Sequence, residues 1–122
     1  MLALKDLKAF DPTVMPDKAK SFYRDILGLK FLSQDNFAIE FDSNETSLRV
    51  ISVQEFNPQP FTVLGWNVED ISTTIKLLNE KGVFCKKYNF LDQDDQGVWT
   101  APGGSKVAWF KDPDGNILSL TE

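Results

Sequence analysis

The sequence predicts an α+β fold built from two βαβββ modules. Two amphipathic helix patterns end at Gly28 and Gly82, a predicted strand precedes each helix, and short extended segments follow it. Superposing the two glycines aligns both halves, although residue identity between them is slight, so the repeat is one of pattern rather than of letters. A chain of 122 residues is then one domain of two halves, over about 3–53 and 61–121, joined by a linker at 54–60.

The first module begins with a predicted strand over residues 3–10, followed by a turn at 11–13. Apolar residues over 16–27 recur at the spacing of an amphipathic helix, because they fall on one face of a 3.6-residue period. A proline in its first turn and the glycine just past its end are typical of the two ends of a helix. The strands that follow are predicted at 29–33, 36–42 and 46–53.

The second module begins with a predicted strand over 61–68, and Asp70 is the predicted N-cap of its helix. The strands that follow are predicted in the segments VFCKKYNF, GVWTAP, KVAWF and ILSLT. Between the last two, the letters D-P-D-G predict a tight hairpin turn, because Pro113 presets φ and Gly115 takes the left-handed conformation.

Composition limits the partners and the compartment of the protein. A formal net charge of −5 leaves no basic stripe to neutralise phosphates, so no nucleic-acid partner is expected. No apolar run approaches the length of a membrane span and the first residues lack the layout of a signal peptide, so no membrane association is expected. Cys85 is the single cysteine, which excludes an internal disulfide and fits a reducing, cytoplasmic location.

The absence of histidine is the most informative count, since the sequence contains 0 His. It removes Ser-His-Asp and Cys-His nucleophile systems, His-ligated metals and ordinary His acid–base catalysis. Any chemistry must therefore come from carboxylates, lysine, tyrosine, cysteine or a bound ligand.

Three motifs carry a family resemblance: SFYRDILGL at 21–29, WNVEDI at 66–71 and WFKDPDGNILSL at 109–120. In this order and at these separations they resemble the vicinal oxygen chelate superfamily, the glyoxalase, bleomycin-resistance and extradiol dioxygenase group. The resemblance covers about residues 3–121. It implies paired βαβββ modules that form a curled mixed sheet around a cleft, commonly in a homodimer, and a cleft that binds small molecules.

The resemblance also identifies the positions at which superfamily enzymes hold one divalent metal with His, Gln and Glu side chains. Three of these four positions fall on Lys8, Val63 and Ser119. The fourth falls on Arg49 or Ile51, because the register of that strand is left open. An ammonium group has no lone pair to donate and a valine coordinates nothing, so the set does not suit a cation. We therefore expect a member of the metal-free, bleomycin-resistance-like branch, with no cofactor.

A small-molecule ligand is the predicted partner. If Val63 faces the cleft, strand alternation places Gly65 and Asn67 there too, and Trp66 in the core; Trp109 lies opposite the core residue Phe110. Packing in the core or in a dimer interface remains an alternative for the tryptophans. The predicted ligand-binding residues are Lys8, Glu40, Arg49, Val63, Asn67, Trp99, Trp109 and Ser119.

The function expected is metal-independent binding of a small molecule, for sequestration or resistance. One alternative is a lyase- or dioxygenase-like enzyme that uses non-standard carboxylate ligands, or Lys8, Tyr23 or Cys85 as acid–base groups; neighbouring lysines would lower the pKa of that thiol, unless it is buried. Another is a protein whose cleft has closed, leaving a dimerisation or regulatory role. Lys8 either lies at the surface, pairs with Glu40 or receives an anionic ligand in the cleft. Arg49 is either an exposed charge or a carboxylate-binding fork. The carboxylates available for a cation are Glu40, Asp42, Glu55 and Glu122.

Overall fold

The computed structural model describes residues 1–122 and contains two four-stranded mixed sheets, which confirms the α+β fold of paired βαβββ modules. The chain divides into two compact units, Met1–Asn57 and Pro58–Glu122, and each unit holds one sheet and its helix. Neither helix has the length and apolar character needed to cross a membrane. The elements of the first unit are β1 (Lys8–Thr13), α1 (Pro16–Ser21), β2 (Lys30–Gln34), β3 (Ala38–Ser43) and β4 (Thr46–Ser52).

Strand β1 lies later in the chain than the sequence predicted. It runs parallel to β4 with Lys8 opposite Ser47, so the residues before Lys8 have no partner strand. The predicted turn at 11–13 is wrong, because these residues continue the strand. Pro12 is tolerated there because β1 is an edge strand, in the order β1-β4-β3-β2, and an edge strand does not need every N–H.

The first helix is α-helical over Pro16–Ser21 and continues as a π-helical segment over Phe22–Ile26. In the wider turn the Leu27 N–H donates to the Phe22 carbonyl at 3.0 Å. The helix ends as predicted, since Gly28 has φ +75°, where a side chain would be strained.

Tyr23 fixes this helix to its sheet. Its side chain is fully buried, its ring centroid lies 5.8 Å from that of Phe41 on β3, and its hydroxyl donates to the Asp11 carboxylate on β1. Phe41 lies opposite Leu48, and Ile39 opposite Val50. All four of these strand residues are buried, so this is the face of the sheet that packs against the helix.

The second unit repeats the topology, with its strands in the order β5-β8-β7-β6. Asp70 caps its helix as predicted, since its Oδ1 accepts from the Thr73 N–H at 3.1 Å. That hydrogen bond is the main cause that lowers the pKa of Asp70. The core of this unit joins the helix to two strands through Ile71, Ile75, Leu78, Ala108, Phe110, Leu118 and Leu120. The elements are β5 (Thr62–Asn67), α2 (Ile71–Glu80), β6 (Trp99–Thr100), β7 (Lys106–Lys111) and β8 (Ile117–Thr121).

The predicted strand in VFCKKYNF is wrong, because residues 83–90 belong to no strand. The side-chain amide of Gln93 replaces a strand ladder there. Its Nε2 donates to the carbonyls of Lys86 and Gly97, at 3.0 and 2.8 Å, and its Oε1 accepts from the Tyr88 N–H at 2.7 Å. A single side chain thus satisfies backbone groups that a neighbouring strand would otherwise pair.

The D-P-D-G turn between β7 and β8 is confirmed. Asp112 is buried, and its Oδ1 accepts from the backbone N–H groups of Asp114 and Asn116, each at 2.9 Å. Gly115 has φ +86°, and a Cβ on it would lie 3.0 Å from the Cγ of Pro58. The glycine is therefore needed both for its conformation and for the close approach of the proline.

Candidate functional site

The face of the first sheet that points away from its helix carries three of the predicted ligand-binding residues. Phe10, Arg49 and Glu40 lie opposite one another in a row across β1, β4 and β3, and Lys8 begins the next row opposite Ser47. Residues directly opposite share a face, so alternation with the buried residues assigns all five to the helix-distal side.

No ion pair joins the charges on this face. Glu40 accepts a hydrogen bond from the Ser47 hydroxyl at 2.7 Å and forms no salt bridge with Lys8, which is exposed. The guanidinium of Arg49 is half-buried, also without a salt bridge, although its charge contributes to the lowered pKa of Asp35, whose main cause is the hydrogen bond from the Phe37 N–H.

The corresponding face of the second sheet carries four further predicted residues. Gly65, Ser119 and Trp109 form one row across β5, β8 and β7, and Asn67 lies in the next row opposite Thr121. Trp99 on β6 completes that row through Val107. Trp66 lies opposite the buried Leu120, as expected for the helix side.

Val63 departs from the alternation. The pairing of β5 with β8 shifts register between Thr62 and Leu64, so Val63 lies in an irregularity of the strand and is half-buried. Its direction therefore does not follow from that of Gly65, because a bulge interrupts the alternation of faces.

Ser119 packs directly against the backbone of Gly65. A Cβ built on Gly65 would lie 2.5 Å from the Ser119 Oγ, and real Cβ atoms do not approach other atoms so closely. Ser119 is only 9% exposed. Its hydroxyl therefore occupies the space over the strand that a side chain at Gly65 would fill.

The residues that the resemblance assigns to the metal positions have side chains that do not fit a divalent ion. Lys8 offers an ammonium, Val63 a hydrocarbon, and Ser119 a single hydroxyl; Arg49 and Ile51 share the helix-distal face but neither is a ligand. No group of three or more Cys, Asp or Glu side chains elsewhere in the chain is arranged to hold a metal ion.

An aromatic cluster extends across the helix-distal face of the second sheet; its members are Tyr88, Phe90, Trp99 and Trp109. The centroids of Trp99 and Trp109 are 6.2 Å apart, and Tyr88 meets Trp109 edge to face at 5.8 Å. Both tryptophans are half-buried and Phe90 is 81% exposed. Such a cluster offers flat apolar surface to a planar ligand, while each ring stabilises its neighbours.

A hollow of about 260 Å³ adjoins this cluster through Tyr88, and we call it the lysine hollow. Its lining combines two lysines and a tyrosine with apolar residues. Its lining includes Pro58, Pro60, Lys86, Tyr88, Lys111 and Ile117.

A second hollow, of about 300 Å³, adjoins Trp99. It is lined in part by Asp92, Gln93 and Asp94. The Asp94 Oδ1 accepts from the N–H groups of Gln96 and Val98, each at 2.9 Å, so this carboxylate already serves to hold the loop.

The candidate acid–base groups are poorly placed for chemistry. The phenol of Tyr23 is buried on the helix side of the first sheet and donates to Asp11. Burial raises the pKa of Cys85 to about 11, and the charge of Asp94 adds to the shift. The partly buried cysteine that the sequence favoured is therefore confirmed, and the alternative in which neighbouring lysines lower the pKa of this thiol is wrong, because burial disfavours the thiolate.

Sequence reasoning did not identify the lysine hollow. Lys86 and Tyr88 fall in a predicted strand that does not form, and Pro58 falls in the predicted linker. The available signal was that Lys86, Tyr88 and Phe90 occupy every second position of CKKYNF. It could not show that this loop lies beside β7, where the Lys86 N–H donates to the Trp109 carbonyl at 2.7 Å.

Comparison with known proteins matches residues 12–120 to the family described as Glyoxalase/Bleomycin resistance protein/Dioxygenase superfamily. A relative from Bacillus subtilis (strain 168), the uncharacterised protein YraH, is 31% identical, and the alignment covers 84% of this chain and 86% of the relative.

Solved structures share the fold along the whole chain. A lactoylglutathione lyase from Agrobacterium tumefaciens superposes with a TM-score of 0.77 at 16% identity, covering 98% of this chain and 93% of that one. A glyoxalase/bleomycin resistance protein/dioxygenase superfamily member from Sphaerobacter thermophilus DSM 20745 gives 0.76 at 21% identity, covering 100% and 99%. A glyoxalase family protein from Enterococcus faecalis gives 0.70 at 23% identity, covering 100% of both chains. At these identities the likeness concerns the fold alone.

Proposed function

The chain belongs to the glyoxalase/bleomycin resistance protein/dioxygenase superfamily, and from that premise we propose that it binds a small molecule without a metal ion. The observation that carries the proposal is the aromatic cluster on the helix-distal face of the second sheet. Trp99 and Trp109 are half-buried there and present flat apolar surface beside a hollow.

The residues at the metal positions support the metal-free branch. Where relatives in the family place a cation ligand, Ser119 packs its hydroxyl against Gly65, and Lys8 presents an exposed ammonium. A metal ion that acts as a Lewis acid stabilises the transition state of a metal-dependent reaction by several kcal/mol. These side chains do not provide the ligands to hold such an ion. Binding, rather than activation of the bound molecule, is the function these residues favour.

The enzyme alternative has less support. It needs an accessible acid or base, whereas Tyr23 is buried against Asp11 and the pKa of Cys85 is raised to about 11. Lys8 is accessible, but no second acid–base group forms a hydrogen bond or ion pair with it. We accordingly place the ligand on the aromatic cluster and propose no turnover.

Thermal shift with a panel of metabolites and antibiotics, with and without EDTA, tests this proposal. A true ligand at 100 times its Kd should stabilise the protein by about 2.7 kcal/mol, and EDTA should leave that gain unchanged. Stabilisation that disappears with EDTA, or conversion of the compound to a product, would contradict the proposal.

A pair of variants locates the ligand. Trp109→Ala should abolish the thermal shift, whereas Phe84→Ala, which removes a 65% exposed ring from the same unit, should retain it. A normal shift in Trp109→Ala would assign that residue to packing only.

The homodimer implied by the family is a separate proposal, which sedimentation velocity tests directly.

A further inference from the structure

The lysine hollow adds a charge preference to the site, and this inference rests on the function proposed above. We infer that the ligand is an aromatic acid, whose carboxylate lies in the lysine hollow between Lys86 and Lys111 while its ring packs on the aromatic cluster. Tyr88 connects the two parts, because it lines the hollow and also contacts Trp109.

The two ammonium groups are available to a ligand. Neither Lys86 nor Lys111 forms a salt bridge, so neither lysine of the hollow is neutralised by a carboxylate. An anionic group that enters would gain charge-assisted hydrogen bonds without breaking an existing pair.

The backbone holds both lysines in place before a ligand arrives. Lys86 donates its N–H to the Trp109 carbonyl at 2.7 Å and accepts from Gln93 Nε2 at 3.0 Å. Lys111 lies on β7 opposite Ile117, whose side chain lines the same hollow. The cost of ordering these segments is therefore met on folding rather than on binding.

The opposite wall is rigid as well. Pro58 and Pro60 have fixed φ, and Pro58 packs so closely on Gly115 that a Cβ there would lie 3.0 Å from its Cγ. The volume of about 260 Å³ is below the roughly 300–1,000 Å³ of pockets that enclose a whole drug-sized ligand. The hollow therefore suits one end of a molecule, and the aromatic cluster accommodates the rest.

The net charge of −5 would attract a cation at long range. The charge of the ligand that binds depends instead on the groups it contacts in the hollow. The acidic hollow beside Trp99 is the competing place for a cation. Its Asp94 already accepts two backbone hydrogen bonds, whereas the ammonium groups of Lys86 and Lys111 have no carboxylate partner. The structure thus favours an anion.

Three naphthalene probes that differ only in charge test the inference: 2-naphthoate, 2-naphthamide and 2-naphthylmethylammonium. Each is titrated into the full chain while the indole N–H signals are followed by NMR. Naphthoate should bind roughly fivefold more tightly than the amide, since two exposed charges contribute modestly, and the ammonium probe should bind more weakly than the amide. The advantage should shrink as salt is added.

Matched variants assign the effect to the hollow. The double variant Lys86→Gln/Lys111→Gln should bind naphthoate and naphthamide equally, whereas Lys87→Gln, which removes the same charge from the adjacent exposed residue, should keep the ratio within about twofold.

The two proposals fail in different ways. Equal binding of all three probes by the native chain, or a ratio unchanged in the double variant, overturns the anionic preference and leaves the binding function standing. Absence of binding by every probe in the panel, together with no stabilising compound in the thermal screen, overturns both.

Discussion

Substitution of Gly65 by alanine tests the packing at the centre of the second sheet. In the native background the new Cβ would lie 2.5 Å from the Ser119 Oγ, so the serine must leave its conformation. With Ser119→Ala the obstacle is removed, because the two Cβ atoms would then be 3.9 Å apart, which is ordinary contact. The effect of Gly65→Ala should therefore depend on residue 119.

The magnitude follows from two opposing effects. Replacing glycine inside a strand by alanine stabilises by about 0.5–1 kcal/mol, because the unfolded chain loses freedom. Forcing Ser119 away from its preferred conformation costs about 0.5–1.5 kcal/mol. Gly65→Ala should then be close to neutral in the native chain and stabilising in Ser119→Ala, with a coupling energy of about 0.5–1.5 kcal/mol.

Urea unfolding of the native chain, Gly65→Ala, Ser119→Ala and the double variant measures this coupling energy. Gly103 supplies the control, since a Cβ there meets nothing within 4 Å, and Gly103→Ala should be additive with Ser119→Ala. A coupling of zero between Gly65 and Ser119 would mean that the serine hydroxyl does not lie over β5. The position described here for the side chain of Ser119 would then be incorrect.

Three further outcomes are expected. Trp109→Ala should lower the free energy of unfolding by about 1–3 kcal/mol through two lost ring contacts, and urea unfolding of Trp109→Phe should show partial recovery. Tyr23→Phe should cost about 1–3 kcal/mol in the same assay, because the buried Asp11 loses a donor; a neutral effect would mean that the hydrogen bond is absent. Alkylation of Cys85 by iodoacetamide should reach half its maximal rate only near pH 11 in the folded protein, because the thiolate reacts and a pKa of about 11 keeps it scarce at lower pH; a midpoint near pH 8.5 would show an ordinary thiol.

Elements whose signals are local were predicted well. Strand β8 occupies the predicted residues 117–121, and the D-P-D-G turn before it forms as expected, because turn chemistry and alternation act within a few residues. The cap at Asp70 and the helix end at Gly28 are equally local. The family motifs reflect these same short-range constraints.

Elements that depend on a distant partner were not predictable in this way. Strand β1 begins only at Lys8 because β4 provides its partner from Ser47 onward, and residues 83–90 form no strand but bond in part to the side chain of Gln93, through the Lys86 carbonyl and the Tyr88 N–H. Both outcomes depend on hydrogen bonds between segments that the sequence does not show to be neighbours.

The sequence alone determined the order of elements and the repeat of the module, since both follow from residue types at fixed spacing. Tertiary structure alone decided which side chains from different segments of the chain share a surface. It brought Pro58 against Gly115, placed Lys86 and Lys111 in one hollow beside Tyr88, and buried Cys85 enough to raise its pKa. Burial and proximity are properties of the packed chain, and packing joins residues that no local pattern connects.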